Sequence, residues 1–241
     1  MEKNPQNKGR LLLIPSPVGD NAPSEVIPGT VLDILRGIRV FIVEETRTAR
    51  RYLSRAGLKG HIEDLEFHEL NEHTRPEEIE GYITLFDNGT DVGLISEAGL
   101  PAVADPGAMM VALAHRNGIQ VVPFVGPSSL MLALMASGLN GQSFAFCGYL
   151  PAKTDERKSR LKAIEKLSAA TGQTQIFIET PYRNDSMLKD ILTCCHENTK
   201  VCIAADLTMP DAFIRTLSVR EWKKEDVTIG KRPCVFLLLA Q

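Results

Sequence analysis

The strongest constraint on the fold is an alternation of short apolar runs with longer stretches of helical spacing through residues 1–140. Strands are predicted over 11–14, 40–43, 65–68, 92–95 and 121–124, and helices over 27–36, 46–56, 76–87, 106–117 and 127–137. Strand, helix, strand at this spacing builds a mainly parallel sheet. The runs VFIV (40–43) and VGLI (92–95) are apolar throughout, as strands must be when helices cover both faces. The turn-forming string Ser137-Gly138-Leu139-Asn140-Gly141-Gln142 breaks the pattern. The domain boundary is therefore expected there, giving domains 1–141 and 142–241. The second half offers strands over 143–148, 175–179, 200–205, 212–217 and 234–239, with helices over 155–170 and 182–196. Its last two strands have no long helix between them, which predicts a mixed sheet. The expectation is a two-domain α/β protein.

Charge and composition narrow the partners. The longest apolar runs fall well short of the roughly 20 residues that span a bilayer. The opening stretch MEKNPQNKGRLLLIP has no signal-peptide layout, so no membrane partner and a cytoplasmic location are expected. Five cysteines lie in apolar or helical patterns without CxxC spacing, as buried free thiols of a reducing compartment do. The net charge of −3 excludes a general nucleic-acid coat protein, so any RNA contact must be local. Two local excesses exist: residues 36–59 hold seven basic groups against two acidic, and residues 153–166 hold six against three. Solvated helix faces have the same look.

In an open parallel sheet, ligands lie beyond the carboxyl ends of the strands. Each of the first five predicted strands is followed by small, polar or turn-forming residues: PSPVGD, EETR, ELNEH, SEAGLP and VGPSS. Five such rims favour a binding crevice. No GxGxxG and no GxxxxGK[ST] is present, so the ligand is not expected to be gripped through a pyrophosphate. Gly126-Pro127-Ser128-Ser129 opens a helix whose free amides can hold a carboxylate or a hydroxyl; the same string is also an ordinary helix start. No GxSxG elbow offers a nucleophile. HELNEH (68–73) looks like a metal-ligand string, but its histidines are five apart rather than four, so no metal is expected.

Seven strings occur in order along the chain: PSPVGD, VEETRTARRYL, FHELNE, LISEAGLPAVADPG, VVPFVGPSSLMLALMASGL, FCGYLP and FIETPYR. Together they resemble the ribosomal RNA small subunit methyltransferase I branch of the tetrapyrrole-methylase superfamily, whose strings are approximately TPIGN, AEDTRxTRxLL, HEHNE, SDAGTPxISDPG, PGPSA, GFLP and FYESPHR. The resemblance implies two α/β domains with S-adenosylmethionine folded into the cleft between them. It also implies a homodimer, and methyl transfer to the 2′-hydroxyl of a cytidine in small-subunit rRNA. By position, the donor contacts implied are Pro17, then Ser96, Glu97, Ala98, Gly99 and Leu100, then Pro127 and Ser128. The second domain adds Phe177, Glu179 and Thr180, with Leu207 and Thr208 on the tail of the family's RELT string. On the acceptor side, Glu45, Thr46, Arg47 and Arg51 fall on EDTRxTR, and His68, Asn71 and Glu72 on HEHNE.

The chemistry is consistent with this. The donor carries an activated methyl, so the protein mainly positions donor and hydroxyl and excludes water. The hydroxyl proton must leave during attack, and Glu45 or His68 is placed by the resemblance to accept it. Arg47, Arg50 and Arg51 are candidates for RNA phosphates. Against this, Glu45-Thr46-Arg47 is also an ion-paired helix start. Leu100 stands where the family carries threonine, and Ala205-Asp206-Leu207-Thr208 lacks the arginine of RELT. Two other readings remain at this point: a methylase of a corrin- or porphyrin-like small molecule, and a non-catalytic protein that binds S-adenosylmethionine.

Overall fold

The computed structural model describes residues 8–240. The chain forms two compact units, Met1–Ser128 and Ser129–Gln241.

The first unit runs β1 (Leu11–Leu13), α1 (Pro23–Val26), α2 (Gly29–Gly37), β2 (Val40–Val43), α3 (Thr46–Leu53), β3 (Glu66–Glu69), α4 (Pro76–Gly81), β4 (Val92–Ile95), α5 (Gly107–Arg116) and β5 (Val121–Pro123). Its five strands lie in the order β3-β2-β4-β1-β5, and every pairing is parallel. The two-residue period of a strand sorts its side chains between two cores. Leu12, Ile14, Phe41, Val43 and Ile95 pack with α2 and α3. Leu11, Ile42, Val92 and Leu94 pack on the other side with Ile79 of α4 and Met110 and Leu113 of α5. Such fully buried side chains each contribute about 1.5–3 kcal/mol. Gly93 interrupts β4 because a Cβ there would lie 2.8 Å from the Phe41 ring.

The helices are more broken than their apolar spacing predicts. The helix predicted over 27–36 begins only after Pro28, as α2, and a separate short helix, α1, precedes it over Pro23–Val26. The helix predicted over 46–56 leaves α geometry after Leu53 in a wider π-helical turn, Ser54–Leu58, that turns on Gly57 at φ +108°. The one predicted over 76–87 tightens after Gly81 into 3-10 turns.

The second unit runs α6 (Ser129–Ser137), β6 (Phe144–Tyr149), α7 (Thr154–Thr171), β7 (Thr174–Ile178), α8 (Asn184–Cys194), β8 (Lys200–Ala205), β9 (Phe213–Ser218), α9 (Val219–Trp222) and β10 (Cys234–Leu239). The sheet order is β6-β7-β10-β8-β9, with β6–β7 parallel and all other pairs antiparallel. This is the mixed sheet expected. Phe177, Val201, Ile203 and Phe236 face a core shared with α7, α8 and Trp222 of α9. Trp222 satisfies its indole N–H on the Val201 carbonyl at 2.9 Å. On the opposite face Ile176, Cys202 and Leu237 are also buried, and α6 packs against β8, β9 and β10 there. Thr216 Oγ1 donates to the Ser137 carbonyl at 2.7 Å. This attachment explains why the units divide ahead of α6 rather than at the turn residues around Gly141.

Candidate active site

Three neighbouring strands, β4-β1-β5, carry the loops that interlock at the carboxyl end of the first sheet. Ser16 N–H donates to Gly99 O at 2.9 Å, and Gly99 N–H donates to Ser16 O at 3.2 Å. Ser16 Oγ donates to Ser96 O at 3.2 Å. The loop after β5 is equally close, because a Cβ on Gly126 would lie 2.1 Å from Pro15 Cβ. One on Gly99, at φ +76°, would lie 3.5 Å from Pro127 O. Close approach therefore requires glycine at 126, and the left-handed φ favours it at 99. Pro17, Ser96, Gly99, Pro127 and Ser128 belong to this knot, with Glu97 and Ala98 exposed at its rim and Leu100 half-buried. Further along the β4 loop, Ala102 and Ala104 hold φ of +66° and +65°. Backbone strain of this kind collects at functional loops. Asp105 Oδ1 anchors the loop by accepting from the amides of Ala102 at 3.0 Å and Gly107 at 2.7 Å.

The residues predicted for the acceptor side separate into several roles. Glu45 is the N-cap of α3. Its carboxylate accepts from Arg47 N at 2.9 Å, Thr48 N at 2.6 Å and Thr48 Oγ1 at 2.5 Å. These bonds, the Thr48 hydroxyl first, hold its carboxyl below the ordinary carboxylate range. Thr46 donates both its N–H and its hydroxyl to Glu69 Oε1, at 3.0 and 2.6 Å. His68 lies within β3, ahead of the rim, bound to Glu66 at 2.8 Å and tilted against the Tyr82 ring. Asn71 Oδ1 accepts from His73 N at 3.0 Å, which makes HELNEH a turn; Glu72 is exposed. Among the described residues, no three His, Cys, Asp or Glu groups converge in a metal-binding arrangement. Arg50 pairs with Glu63 and lies over the Phe67 ring. Arg55 pairs with Asp20 at 2.5 Å. Arg47 and Arg51, one helical turn apart, are exposed and form no side-chain hydrogen bond or ion pair with the described residues.

Glu44 is the residue that the motif comparison passed over. It follows β2 directly, and its Oε2 accepts from Glu97 N at 3.3 Å. β2 and β4 are adjacent, so the ends of these two strands share one rim. Burial pushes the Glu44 carboxyl above its ordinary value; the Glu97 amide opposes this, and the charges of Glu97 and Asp105 reinforce it. The signal in the sequence was its place as the first polar residue after an all-apolar strand.

In the second unit, β7 and β8 both flank β10 antiparallel, so their carboxyl ends emerge at one edge. Glu179 is buried there. Its Oε1 accepts from Thr180 N at 2.7 Å and from Arg183 Nη2 at 2.5 Å, while its Oε2 has no hydrogen-bond partner among the described residues. A buried carboxylate oxygen without a donor costs free energy until a ligand supplies one. Across β10, Asp206 and Thr208 follow β8 with φ of +49° and +74°, and Leu207 is buried. Arg232 pairs with Asp206 and donates to Asp211 O at 2.5 Å. A cation from just ahead of β10 thus stands beside the string where the family's RELT arginine is missing. Phe177 is fully buried and stacks on Phe236 at 5.7 Å, so its ring serves the core.

These rims carry the likeness to known proteins. The family model described as Tetrapyrrole (Corrin/Porphyrin) Methylases matches residues 25–222. The chain is 32% identical to Ribosomal RNA small subunit methyltransferase I of Escherichia coli O157:H7, over 96% of this chain and 78% of that protein. It is 34% identical to the protein of the same name from Xylella fastidiosa (strain Temecula1 / ATCC 700964), over 97% of this chain and 81% of that one. Uroporphyrin-III C-methyl transferase from Thermus thermophilus, solved with S-adenyl homocysteine, superposes with a TM-score of 0.58 at 18% identity, covering 96% of this chain and 97% of that one. That last likeness speaks to the fold alone. The match, over residues 25–222 for the family model and over nearly the whole chain for these relatives, makes the chain a member of the tetrapyrrole methylases, in the branch of the small-subunit ribosomal RNA methyltransferase I proteins.

Proposed function

We propose that the chain is an S-adenosylmethionine-dependent methyltransferase of small-subunit ribosomal RNA, acting on a cytidine ribose 2′-hydroxyl. The observation that carries this reading is the interlocked knot after β1, β4 and β5, kept in a chain aligned over nearly its whole length with methyltransferases of that name. The donor residues proposed in the first unit are Pro17, Ser96, Glu97, Ala98, Gly99, Leu100, Pro127 and Ser128. At Leu100 the contact is through the main chain, since its side chain offers no hydroxyl. In the second unit they are the Phe177 backbone, Glu179, Thr180, Leu207 and Thr208.

The residues suit such a donor. Glu179 Oε2 is a buried acceptor in want of a donor group, and the donor offers ammonium, amino and hydroxyl hydrogens. When bound, the donor supplies a methyl group already activated on a sulfonium. The chain has then to orient the acceptor, exclude water and receive one proton. Arg47 and Arg51 are proposed to hold RNA phosphates, with Thr46, Arg50, Asn71 and Glu72 shaping the loop around them. Glu45 and His68, both engaged within their own elements, are assigned to hold the rim in place.

Among the described residues no helix is long and apolar enough to cross a membrane. Cytoplasmic action on the ribosome is part of the proposal, and so is a homodimer. The deciding experiment incubates the protein with labelled S-adenosylmethionine and either small ribosomal subunits or total small metabolites. Ribose label in rRNA at a site that loses its 2′-O-methyl in a deletion strain supports the reading. Label confined to small metabolites, or no transfer despite donor binding, refutes it.

A further inference from the structure

The geometry points to Glu44, and not to its neighbour Glu45, as the catalytic residue that accepts the hydroxyl proton during methyl transfer. This rests on the reading of the chain as a ribose 2′-O-methyltransferase and adds to it the group that receives the proton.

A general base must have a lone pair free, must be held in place, and must sit beside the bound reactants. Glu45 suits the role less, because both of its oxygens already accept from the first turn of α3 and those bonds lower its proton affinity. His68 fails the third, being set back within β3 and bound to Glu66. Asp105 has one oxygen committed to two loop amides and the other buried. The Glu97 side chain is exposed and makes no side-chain hydrogen bond that would hold it in place.

Glu44 meets all three conditions. One oxygen is tethered to the Glu97 amide in the proposed donor loop. The other, Oε1, makes no hydrogen bond with the described residues and is not among the buried atoms without a partner. Among the described residues no lysine or arginine pairs with Glu44, and the charged groups facing it are Glu97 and Asp105, both acidic. Its burial and these like charges raise its proton affinity, which suits a group that must take a proton from a weakly acidic hydroxyl.

The step balances. The 2′ oxygen forms the new bond to the methyl carbon, and the sulfonium–carbon bond breaks with its electron pair left on sulfur. The hydroxyl proton passes to Glu44 Oε1 and from there to solvent.

The test compares wild type, Glu44→Gln, Glu44→Asp and Glu45→Gln for three readouts: methyl transfer to small subunits, S-adenosylmethionine affinity by calorimetry, and thermal midpoint. Glu44→Gln is expected to lower turnover by roughly 10²–10⁴-fold, with donor affinity within about threefold of wild type. Glu44→Asp, which keeps the carboxylate but withdraws it by one carbon, should lose less. Glu45→Gln should lower the thermal midpoint while keeping more turnover than Glu44→Gln. The proposal is overturned by full turnover in Glu44→Gln, by donor affinity falling in step with turnover, or by equal losses in the Gln and Asp variants. A wild type that places no label on a ribose hydroxyl overturns the underlying reading, and this proposal with it.

Discussion

Glu45 shows how one residue can read as chemistry and serve as structure. Its place in EETR suggested a base, yet N-caps are chosen from the same short list of acceptors, and only the three-dimensional arrangement distinguishes the two. The cap makes a prediction about pH. The bonds from Thr48 and Arg47 depress the folded-state pKa of Glu45, so its carboxylate favours the folded state above the unfolded value of about 4.3. That contribution is lost as pH falls through the depressed folded value. Glu45→Gln should therefore melt below wild type at pH 7, and the gap should narrow progressively as pH drops below about 4. Calorimetric melting of both proteins across that range checks it; a gap independent of pH would show that the charge plays no part. The sequence motifs point to residues 96–100 and 179–180 as proposed donor contacts because backbone-special and carboxylate residues stand out in a string. They could not locate the free Glu179 oxygen, which depends on its burial in the folded unit, or the Arg232–Asp206 pair, which depends on β8 and β10 lying side by side.

At the scale of elements, the strands were legible because an all-apolar run covered on both faces has few alternatives. The helices were less so, since apolar spacing does not register a proline at 28 or a left-handed glycine at 57. The basic tract 153–166 resolves in a way that charge counting cannot foresee. Arg157 of α7 is buried and bonds Asp190 of α8 at 2.8 and 2.5 Å, with side-chain exposures of 4% and 7%. Removing one partner strands the other charge in the core, so Asp190→Ala should cost roughly 3–5 kcal/mol in denaturant unfolding. A well-packed apolar pair at both positions should recover most of that loss, and a loss under 1 kcal/mol for Asp190→Ala would deny the pair a structural role. The other basic tract behaves differently. Arg50 of α3 and Arg55 of the turn after it are neutralised locally, whereas Arg47 and Arg51 of α3 are left exposed a turn apart. If this stripe contacts phosphates, replacing each with alanine should lower the salt dependence of RNA binding by about 0.7 in log–log slope. Arg50→Ala should change it less. Filter-binding across a salt series separates these outcomes, and equal slopes in all variants would remove α3 from the RNA surface.

For the whole molecule, the remaining question is what covers the second sheet. Register places Phe144, Phe146 and Tyr149 on the same face as Ile176 and Ile178, the face on which α6 packs against β8, β9 and β10. They are 40%, 36% and 58% exposed, and Met135 of α6 is 79% exposed. Neither α6 (SLMLALMAS) nor β6 (FAFCGY) contains a charged residue. A helix apolar all round is normally buried on every side, yet one side of α6 meets water. An uncharged apolar patch suits a second copy of itself, because a two-fold interface sets the same surface against itself and needs no opposite charge. The homodimer proposed here is therefore expected to form through α6 and the edge strand β6. Sedimentation equilibrium of wild type at micromolar concentration should give twice the chain mass. Met135→Glu combined with Phe146→Glu places like charges in that patch and should give the single-chain mass with donor affinity retained. A wild type that sediments as one chain refutes the dimer; a dimer unaffected by both substitutions places it on another face.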